Sequence, residues 1–374
     1  MPTRTATQTR ILHLGSGSIN IEVRADQPGP VLDAELRLLF RALRHPPLSP
    51  CVEIPSWDAG IAVAAKHVGW DLAGAMLTLN LGATESCEAG VPHGERWSVL
   101  HPHGLVPERF KSAVVRLPYW IGRAGWEWLL RTAATGLMPG GRLYLLGARN
   151  RGVESARGLA VGLVGPVVDQ VIAERRRLYV FERRDTGPPG DKSLLPTNEL
   201  LAGRLLIVHH HPLVFSPGRV DPATTTLAHY LPERGGRWLD LGCGSGVVAA
   251  VAAGLSGRNV TAVDWSYAAV AVAADTLQAN GLSADVCLSD GVPSGAEPFE
   301  VVVCFPPFHV GPRVDHAPAR QLIRTARTVL APGGECRVVL TSAQSPRLLL
   351  EPVFRSVQLV AEAEGVSVFA CHSD

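Results

Sequence analysis

Short apolar runs alternate with helix-length segments throughout the second half of the chain. The runs typical of buried strands lie at 238–241, 260–263, 284–288, 299–305 and 336–340. Helix-length segments separate them, among them the Ala-rich stretch 267–280, which ends at Gly281. Strands that alternate with helices predict a parallel, doubly wound α/β sheet. Two further apolar runs, 357–361 and 365–371, predict a terminal hairpin.

The first half of the chain repeats this order weakly. Three short motifs occur in both halves in the same sequence: a small apolar segment, a proline followed by an aromatic residue, and a Pro-Gly-Gly turn. They lie at 59–65 and 245–251, at 117–119 and 305–308, and at 138–142 and 331–335. Three landmarks at nearly constant separation predict two copies of one fold. The alternative is a chance similarity between short apolar motifs.

A segment rich in Gly, Pro and Asp separates the two halves. This segment, 185–198, predicts a linker, with one domain at 1–188 and a second at 189–374. The length of 374 residues, 46% of them hydrophobic, fits two domains with their own cores.

Charge and composition exclude several classes of protein. A net charge of +1 excludes a globally basic nucleic-acid coat, although the first half is slightly basic and leaves RNA open as a partner. We find neither an uncharged apolar run long enough for a membrane helix nor a secretory signal, and we expect a monomeric, cytoplasmic protein. The seven cysteines lack a C-x-x-C pair and predict core residues in a reducing compartment. We expect no metal, because the adjacent His209, His210 and His211 do not share one face.

The strongest chemical signal is a glycine-rich turn between a strand and a helix. Gly242, Gly244 and Gly246, with Cys243 among them, follow an apolar strand in which Asp240 is the second residue before the first glycine. Glycines allow a tight turn and a close ligand, and the next helix begins with free N–H groups. The arrangement resembles motif I of class I S-adenosylmethionine-dependent methyltransferases, which implies that Asp240 serves the methionine end of that cofactor. A nucleotide-binding turn without S-adenosylmethionine is the alternative.

Carboxylates end the next two strands as well. Asp264, followed by Trp265, lies at the distance from the glycine turn that suits an acceptor for ribose hydroxyls, although it could also cap the following helix. Asp290, followed by Gly291, lies where methyltransferases of this class read the adenine amine, although Ser-Asp-Gly is also an ordinary turn. We therefore assign all four residues to the predicted cofactor site.

The fourth strand ends in Phe305-Pro306-Pro307-Phe308-His309. This segment resembles the (Asn/Asp)-Pro-Pro-(Tyr/Phe) motif of methyltransferases that act on exocyclic or amide nitrogens. There the Asn side chain and a backbone carbonyl accept the protons of a planar amine, and the aromatic residue stacks on the base. The leading Asn is Phe305 in this chain, so one of the two acceptors is missing. We assign 305–308 to the catalytic site, with His309 as a substrate-site residue that acts as a base or supports the loop.

Together these motifs resemble one family over the whole chain. Phe215-Ser216-Pro217-Gly218, the glycine turn and Pro-Pro-Phe-His occur in the order found in ribosomal small-subunit RNA guanine-N(2) methyltransferases of the RsmC type, of which the RlmG enzymes are close relatives. The resemblance implies two tandem Rossmann-like methyltransferase domains, of which only the C-terminal one binds S-adenosylmethionine. It also implies ribosomal RNA, or a ribosomal subunit, as the partner and places Phe215 near the target pocket.

The first copy departs from the motifs. Its counterpart of the glycine turn, 55–60, has one glycine and the bulky Trp57, which predicts that it does not bind S-adenosylmethionine. We expect this degenerate domain to hold RNA or to stabilise its neighbour, with phosphate contacts at Arg142, Arg149, Asn150 and Arg151. A solvated arginine face is the alternative. The Gly-Ser segment 13–18 predicts a hairpin turn rather than a ligand loop.

Two functions from different classes follow. The first is an enzyme that methylates a guanine exocyclic amine in ribosomal RNA, most naturally in the small subunit. The second is a methyltransferase fold that has lost turnover at Phe305 and binds RNA or the ribosome. A protein amide or a small molecule as methyl acceptor is a weaker third reading.

Overall fold

The protein divides into two compact units, Arg4–Lys192 and the segment from Ser193 to Asp374. The computed structural model describes residues 7–14, 17–24, 38–39, 46–57, 60–67, 70–90, 96–173, 175–187, 189–190, 193–255, 257–293, 295–307, 309–310, 313–314, 316–341, 344–363 and 365–373. The division falls inside the segment that the sequence predicts as a linker, although its last two residues, Thr197 and Asn198, already form a strand.

The N-terminal unit contains a hairpin and a seven-stranded sheet with the order β5-β4-β3-β6-β7-β9-β8. β9 runs antiparallel to both of its neighbours, β7 and β8, whereas the pairs from β5 to β7 are parallel. The strands are β1 (Thr7–Leu14), β2 (Gly17–Arg24), β3 (Cys51–Ile54), β4 (Gly74–Leu77), β5 (Trp97–Leu100), β6 (Phe110–Arg116), β7 (Leu137–Ala148), β8 (Val167–Ala173) and β9 (Arg176–Glu182). The helices are α1 (Gly60–His67), α2 (Leu81–Gly90), α3 (Gly122–Gly136) and α4 (Val153–Leu163). The predicted turn at 13–18 joins β1 to β2; Gly15 and Ser16 lie outside the described residues.

The C-terminal unit contains a second seven-stranded sheet, with the order β14-β13-β12-β15-β18-β20-β19. Its strands, with two short hairpins, are β10 (Thr197–Leu201), β11 (Arg204–Val208), β12 (Gly236–Leu241), β13 (Arg258–Asp264), β14 (Asp285–Leu288), β15 (Phe299–Cys304), β16 (His309–Val310), β17 (Arg313–Val314), β18 (Leu330–Thr341), β19 (Ser356–Ala363) and β20 (Val366–His372). The helices are α5 (Pro222–His229), α6 (Val247–Ala253), α7 (Tyr267–Ala279), α8 (Ala317–Thr328) and α9 (Pro346–Leu349).

The two sheets have the same strand order, and this confirms the duplication. In each sheet, the first three strands along the chain lie side by side in order, and the fourth strand lies on the other side of the first. The pairing registers also agree: Glu53 lies opposite Val114 in the first sheet, and Asp240 lies opposite Val303 in the second. The chain is therefore an α/β protein with two tandem Rossmann-like sheets, as predicted.

The sheet core explains why the central strands are apolar throughout. Parallel strands are covered by helices on both faces, so they carry continuous hydrophobic runs. Val301, Val302 and Val303 are almost fully buried, and so are nearly all residues of α6. All seven cysteines carry free thiols, and six of them are buried. Among the described residues, no helix has the length and hydrophobicity needed to cross a membrane.

Local signals fix where the helices next to the site begin. Asp221 accepts a hydrogen bond from the backbone N–H of Ala223 and precedes Pro222, which starts α5. Ser266 caps α7 by accepting a hydrogen bond from Ala269 N. Both caps fix the chain where it leaves loops at the carboxyl edge of the sheet.

Candidate cofactor and substrate site in the C-terminal unit

The glycine turn lies at the point where the strand order of the second sheet reverses. It connects β12 to α6, and β12 lies between β13 and β15. Ligands of open α/β sheets bind at the carboxyl ends of the strands at such a point. The backbone N–H groups of Gly242 and Cys243 both donate to the carbonyl of Val263, at 2.9 Å each. These bonds hold the turn against the end of β13.

The three glycines meet different requirements. All have positive φ angles, of 84° at Gly242, 53° at Gly244 and 76° at Gly246. A Cβ atom at Gly242 would meet nothing within 4 Å, so this residue borders open space. A Cβ atom at Gly246 would lie 2.8 Å from Ala273 Cα, so the absence of a side chain lets the turn contact α7. Gly242 therefore leaves room for a ligand, whereas Gly246 is required by packing.

Asp240 is a buried carboxyl beneath the turn. Its side chain accepts a hydrogen bond from the backbone N–H of Ala249, at 3.0 Å, and is 6% exposed. Burial raises the pKa of Asp240 from 3.8 to about 7, the bond from Ala249 opposes this shift, and the nearby carboxylate of Asp264 adds to it. A buried carboxyl with a pKa near neutrality favours a cationic ligand group, because such a group would stabilise its ionised form.

Asp264 ends β13 and reaches the same turn. One carboxylate oxygen accepts from Gly244 N at 3.1 Å, and the other accepts from Ser266 N at 2.9 Å. Burial raises the pKa of Asp264, while these backbone bonds lower it. The structure therefore brings Asp264 to the glycine turn, and the same side chain also accepts from Ser266, the residue that caps α7. Trp265 beside it is half-buried.

Asp290 and Gly291 lie further along the sheet edge. The strand β14 ends at Leu288, so Asp290 belongs to the loop that follows, and its side chain is exposed. Gly291 has a φ of 108°, and a Cβ atom there would lie 3.8 Å from Thr325 Cγ2 of α8. Ser289 N donates to the carbonyl of Asp264 at 2.9 Å, which ties this loop to the end of β13.

The fourth strand delivers an aromatic pair to the carboxyl edge. Phe305 follows β15, and its ring lies edge-on to the ring of Phe215, with centroids 5.7 Å apart and planes at 90°. Phe215 is 66% exposed, Pro306 is buried and Pro307 is exposed. Phe308 lies outside the described residues, as does the side chain of His309, whose backbone begins β16. The structure thus brings Phe215 and Phe305 together. The sequence motifs assign each residue to the site, but they do not predict the contact between the two rings.

The loop that carries Phe215 also borders the glycine turn. A Cβ atom at Gly244 would lie 4.0 Å from Val214 Cγ1, and Ser216 has a φ of 56°, which is rare for a residue with a side chain. Val214 itself is buried against Ala268 and Ala269 of α7. The loop therefore has one buried anchor and one exposed aromatic ring next to the predicted cofactor and target positions.

The N-terminal sheet has a buried ion pair where the second sheet has its site. Because the registers match, Glu53 corresponds to Asp240 and Arg116 corresponds to Phe305. Glu53 Oε1 and Arg116 Nη2 lie 2.5 Å apart, and Ser56 donates to the other Glu53 oxygen at 2.8 Å. The comparison of sequence motifs missed this pair and was shifted by one residue, since Pro118 corresponds to Pro307. The signal was an acid within the apolar strand β3 and a base at the end of the apolar run 113–115 of β6.

The predicted arginine cluster of the N-terminal unit is mostly exposed. Arg149, Asn150 and Arg151 form a short turn after β7, and the guanidinium of Arg151 lies 4.3 Å from the ring centre of Tyr119. Arg142 instead contacts Glu182, at 3.7 Å. Trp57 is buried, with its ring centre 6.1 Å from that of Trp120. An aromatic cluster thus replaces the open turn in this unit.

Two members of the histidine triplet make side-chain hydrogen bonds. Buried His210 shares a hydrogen bond of 2.9 Å with Thr197, and burial lowers its pKa. His211 accepts from Leu213 N at 3.1 Å. In the described ranges, no group of three or more His, Cys, Asp or Glu side chains is arranged to hold a metal. A surface cleft lined by Arg237, Asn259 and Phe299 lies at the opposite, amino ends of the strands.

Comparison with known proteins agrees with this architecture. The family model described as "Methyltransferase small domain" matches residues 205–370. Ribosomal RNA small subunit methyltransferase C of Pseudomonas aeruginosa (strain LESB58) is 30% identical over 77% of this chain and 86% of that protein. The protein of the same name from Pseudomonas fluorescens is 32% identical with the same coverage.

One solved structure aligns with both units. It is the 16S rRNA N2 methyltransferase (RsmC) of T. thermophilus in complex with AdoMet and guanosine, and it covers 98% of each chain with a TM-score of 0.81 and 27% identity. This coverage includes both units of the chain. The chain belongs to the ribosomal RNA small subunit methyltransferase C family.

Proposed function

We propose that this chain transfers a methyl group from S-adenosylmethionine to the exocyclic N2 amine of a guanine in the RNA of the small ribosomal subunit. The observation that carries this proposal is the alignment of both units, over 98% of the chain, with a methyltransferase bound to AdoMet and guanosine. The glycine turn and its two carboxylates support it independently. All seven cysteines carry free thiols, as in a reducing compartment, and we propose that the reaction takes place in the cytoplasm.

The residues at the switch point fit S-adenosylmethionine. Gly242 borders open space, the carboxylate of Asp264 lies at the turn, and Asp240 is poised to ionise beside a cation. We assign Asp240 to the methionine end, Asp264 with Trp265 to the ribose, and Asp290 with Gly291 to the adenine. Cys243, Gly244 and Gly246 shape the turn that these groups surround. The cofactor, when bound, supplies a methyl group activated by a sulfonium.

The aromatic pair supplies the proposed platform for the target base. The exposed ring of Phe215 and the ring of Phe305 offer apolar surface for a guanine, because stacking on aromatic rings stabilises an extruded base. Phe305 has no side-chain acceptor, so its backbone carbonyl is left to accept one amine proton. Pro306 and Pro307 restrict the backbone that carries this carbonyl. The stacking role of Phe308 and the base or loop role of His309 stay predictions.

We assign binding and chemistry to different units. The N-terminal unit has Trp57 and the Glu53–Arg116 ion pair at the positions of the cofactor site, so its proposed task is to hold RNA and stabilise the protein. Its exposed turn with Arg149 and Arg151, and the cation–π contact between Arg151 and Tyr119, offer contacts for phosphates and bases. The C-terminal unit is the proposed catalytic unit.

One observation favours a second candidate function. Phe305 replaces the amide that positions the target amine in the resembling motif, and it packs against Phe215 instead. A chain that binds S-adenosylmethionine and ribosomal RNA but turns over slowly, or not at all, would have this arrangement. Such a protein would act as an RNA-binding module in ribosome assembly.

Methyl transfer to isolated ribosomal components separates the two functions. S-adenosylmethionine labelled in its methyl group is incubated with the full chain and small subunits, large subunits or naked 16S rRNA, all lacking base methylation. We expect label in the small-subunit RNA. The Asp240→Asn variant serves as the control for cofactor dependence.

The Phe305→Asn variant decides between the candidates. If the native chain labels small-subunit RNA, the first function holds, and Phe305→Asn tests only how much the amide adds. If the native chain labels nothing and Phe305→Asn does, the second function replaces it. A native chain that labels large-subunit RNA alone would contradict the proposed substrate.

A further inference from the structure

Three neighbouring strands of the first sheet are followed by aromatic and basic residues. Trp57 follows β3, and Tyr119 and Trp120 follow β6. Arg151 belongs to the short turn that follows β7. Because β3, β6 and β7 are parallel neighbours, these residues lie at one edge of the sheet, the carboxyl edge. We call Trp57, Tyr119 and Trp120 the aromatic cluster.

Ring contacts hold the aromatic cluster together. Trp120 contacts both other rings, with its ring centre 6.1 Å from that of Trp57 and 5.4 Å from that of Tyr119. The guanidinium of the exposed Arg151 lies 4.3 Å from the ring centre of Tyr119. An aromatic face that accepts a planar guanidinium is also the kind of surface on which proteins stack an unpaired base.

Trp126 of α3 fixes the two turns that meet in this stack. Its indole N–H donates to the carbonyl of Pro118, immediately before Tyr119, at 3.0 Å. A Cβ atom at Gly152 would collide with the ring of Trp126, so glycine is needed for the turn of Arg151 to approach that ring. The fold therefore places Arg151 over Tyr119 before any ligand binds.

The aromatic cluster contains polar groups without protein partners. Trp57 is 4% exposed, and its indole N–H makes no hydrogen bond. Within the described ranges, the side chains of Tyr119, Trp120 and Arg149 make no hydrogen bond or ion pair either. A buried polar group without a partner is rare and requires an explanation. A ligand that offers acceptors beside an aromatic surface would provide one.

The charges next to the aromatic cluster favour an anion. Arg149 and Arg151 are both exposed, and in the part of the chain that the structure describes neither pairs with an acid. Glu53 and Glu154, acids on the same elements, pair with other arginines. A ligand that combines a planar ring with a negative charge fits these groups, and a nucleotide of a single strand has both.

The aromatic cluster stands at the positions of two site motifs of the second sheet. By the matched registers, Trp57 takes the place of Gly244 and fills the position of the open turn. Tyr119 takes the place of Phe308, the residue that the sequence assigns to base stacking. The first copy thus lacks the cofactor turn but has an aromatic residue at the position of the base.

We infer that the aromatic cluster binds an unpaired base of the ribosomal RNA, stacked on Tyr119, while Arg149 and Arg151 bind the phosphates beside it. This inference rests on the proposed function, because it takes the RNA of the small subunit to be the ligand. It adds a second base contact to the one proposed at Phe215 and Phe305. The base takes the face of Tyr119 that Arg151 covers in the free protein, and the guanidinium turns to a phosphate.

RNA binding by a variant without the aromatic face tests the inference. Fluorescence anisotropy of labelled 16S rRNA is measured with the full chain over a range of KCl concentrations. Loss of one stacked base lowers affinity at least about fivefold, and stacking releases no counterions. We expect Tyr119→Leu to bind at least about fivefold more weakly, with an unchanged slope of log affinity against log salt. Tyr119→Phe keeps the ring and should bind like the native chain.

The slope itself tests the two arginines, which are exposed and can be replaced without loss of folding. Each phosphate contact on a single strand contributes about 0.7 to it, so R149Q/R151Q should lose about 1.4. Arg157 provides the matched control, because it is exposed, lies in the same unit and contacts the ring of Tyr179 at 5.2 Å. That ring is buried, so Arg157→Gln should retain the native slope.

The inference is overturned if Tyr119→Leu is folded and binds RNA as tightly as the native chain, or if R149Q/R151Q changes the slope no more than Arg157→Gln does. Thermal unfolding shows whether Tyr119→Leu is folded, and if it is not, the slope of R149Q/R151Q decides. Weaker binding to small subunits with unchanged binding to naked RNA would overturn the inference too, because the partner would then be a ribosomal protein.

Failure of this base site is distinguishable from failure of the proposed function. A native chain that methylates small-subunit RNA while Tyr119→Leu and R149Q/R151Q bind RNA normally contradicts only the base site. A native chain that transfers no methyl group while these variants lose RNA affinity contradicts the enzymatic function and leaves the aromatic cluster as an RNA contact.

Discussion

Glu53 and Arg116 form an ion pair of 2.5 Å in which both side chains are almost completely buried. They stand at the positions that Asp240 and Phe305 have in the second sheet. In the first sheet, this ion pair joins the ends of β3 and β6. In the second sheet, the corresponding ends of β12 and β15 bear a carboxyl of raised pKa and a phenyl ring. One fold thus has an internal ion pair in one unit and a candidate ligand site in the other.

Removing one partner of this pair should destabilise the N-terminal unit. Arg116→Met leaves the carboxylate of Glu53 buried without its cation, at a cost of about 3–5 kcal/mol in the free energy of unfolding. The double variant Glu53→Met/Arg116→Met should recover most of this loss. Urea unfolding followed by tryptophan fluorescence measures it, since six of the eight tryptophans precede Lys192.

The exposed pair Arg96–Asp71 provides the control for that experiment. Its side chains are 71% and 91% exposed, at a separation of 2.6 Å, so Arg96→Met should cost less than about 1 kcal/mol. An Arg116→Met protein no less stable than Arg96→Met would show that the buried pair does not hold the first sheet.

The raised pKa of Asp240 predicts opposite effects of pH on stability and on cofactor affinity. Its folded pKa of about 7 exceeds the value of 3.8 for an unperturbed Asp, so folding favours the protonated form. This contribution to stability is present at low pH and is lost as the pH rises through 7. S-adenosylmethionine carries an ammonium group at its methionine end, so the ionised carboxylate should bind it better, and affinity should rise over the same interval.

Calorimetric titration with S-adenosylmethionine between about pH 6 and about pH 8 checks this. We expect an affinity gain of up to about tenfold per pH unit in the native chain. Asp240→Asn should bind weakly, without this pH dependence, whereas Asp290→Asn should keep it. Native binding that is independent of pH would contradict the placement of Asp240 beside a cationic group.

Two glycine substitutions should distinguish a glycine that leaves room for the cofactor from a glycine that is required by packing. Gly246→Ala places a Cβ 2.8 Å from Ala273 Cα, and the helix α7 must move, so the C-terminal unit should lose stability and cofactor binding together. Gly242→Ala meets no atom within 4 Å and adds only the strain of a positive φ, about 1–2 kcal/mol. It should reduce cofactor affinity with little loss of folded protein.

Thermal unfolding with and without S-adenosylmethionine gives both quantities for each variant. If Gly242→Ala lowers the melting temperature as much as Gly246→Ala does, or if it binds the cofactor normally, the assignment of Gly242 to ligand space is wrong.

The sequence predicts the second sheet, and the turns that form the candidate site, because that information is local. Gly242 and Asp264 lie where a strand meets a turn, and the apolar run 299–305 identifies a central strand without reference to its neighbours. The terminal hairpin, predicted at 357–361 and 365–371, forms at Ser356–Ala363 and Val366–His372. These features depend on hydrophobic periodicity and on turn chemistry, which a short segment contains in full.

Contacts between segments that are distant in the sequence cannot be predicted in this way. The sequence does not show that Glu53 and Arg116 are partners, because the register of β3 and β6 is what places them together. The contact between Phe215 and Phe305 likewise needs the loop before α5 to fold back on the end of β15.

The identity of the modified nucleoside tests the central claim most directly. Small subunits treated with the native chain and S-adenosylmethionine are digested to nucleosides and analysed by chromatography with mass spectrometry. The account predicts one new N2-methylguanosine per RNA molecule, absent when Asp240→Asn replaces the native chain. Methylation at another base or another atom, or none in small subunits, large subunits and naked RNA, would contradict it.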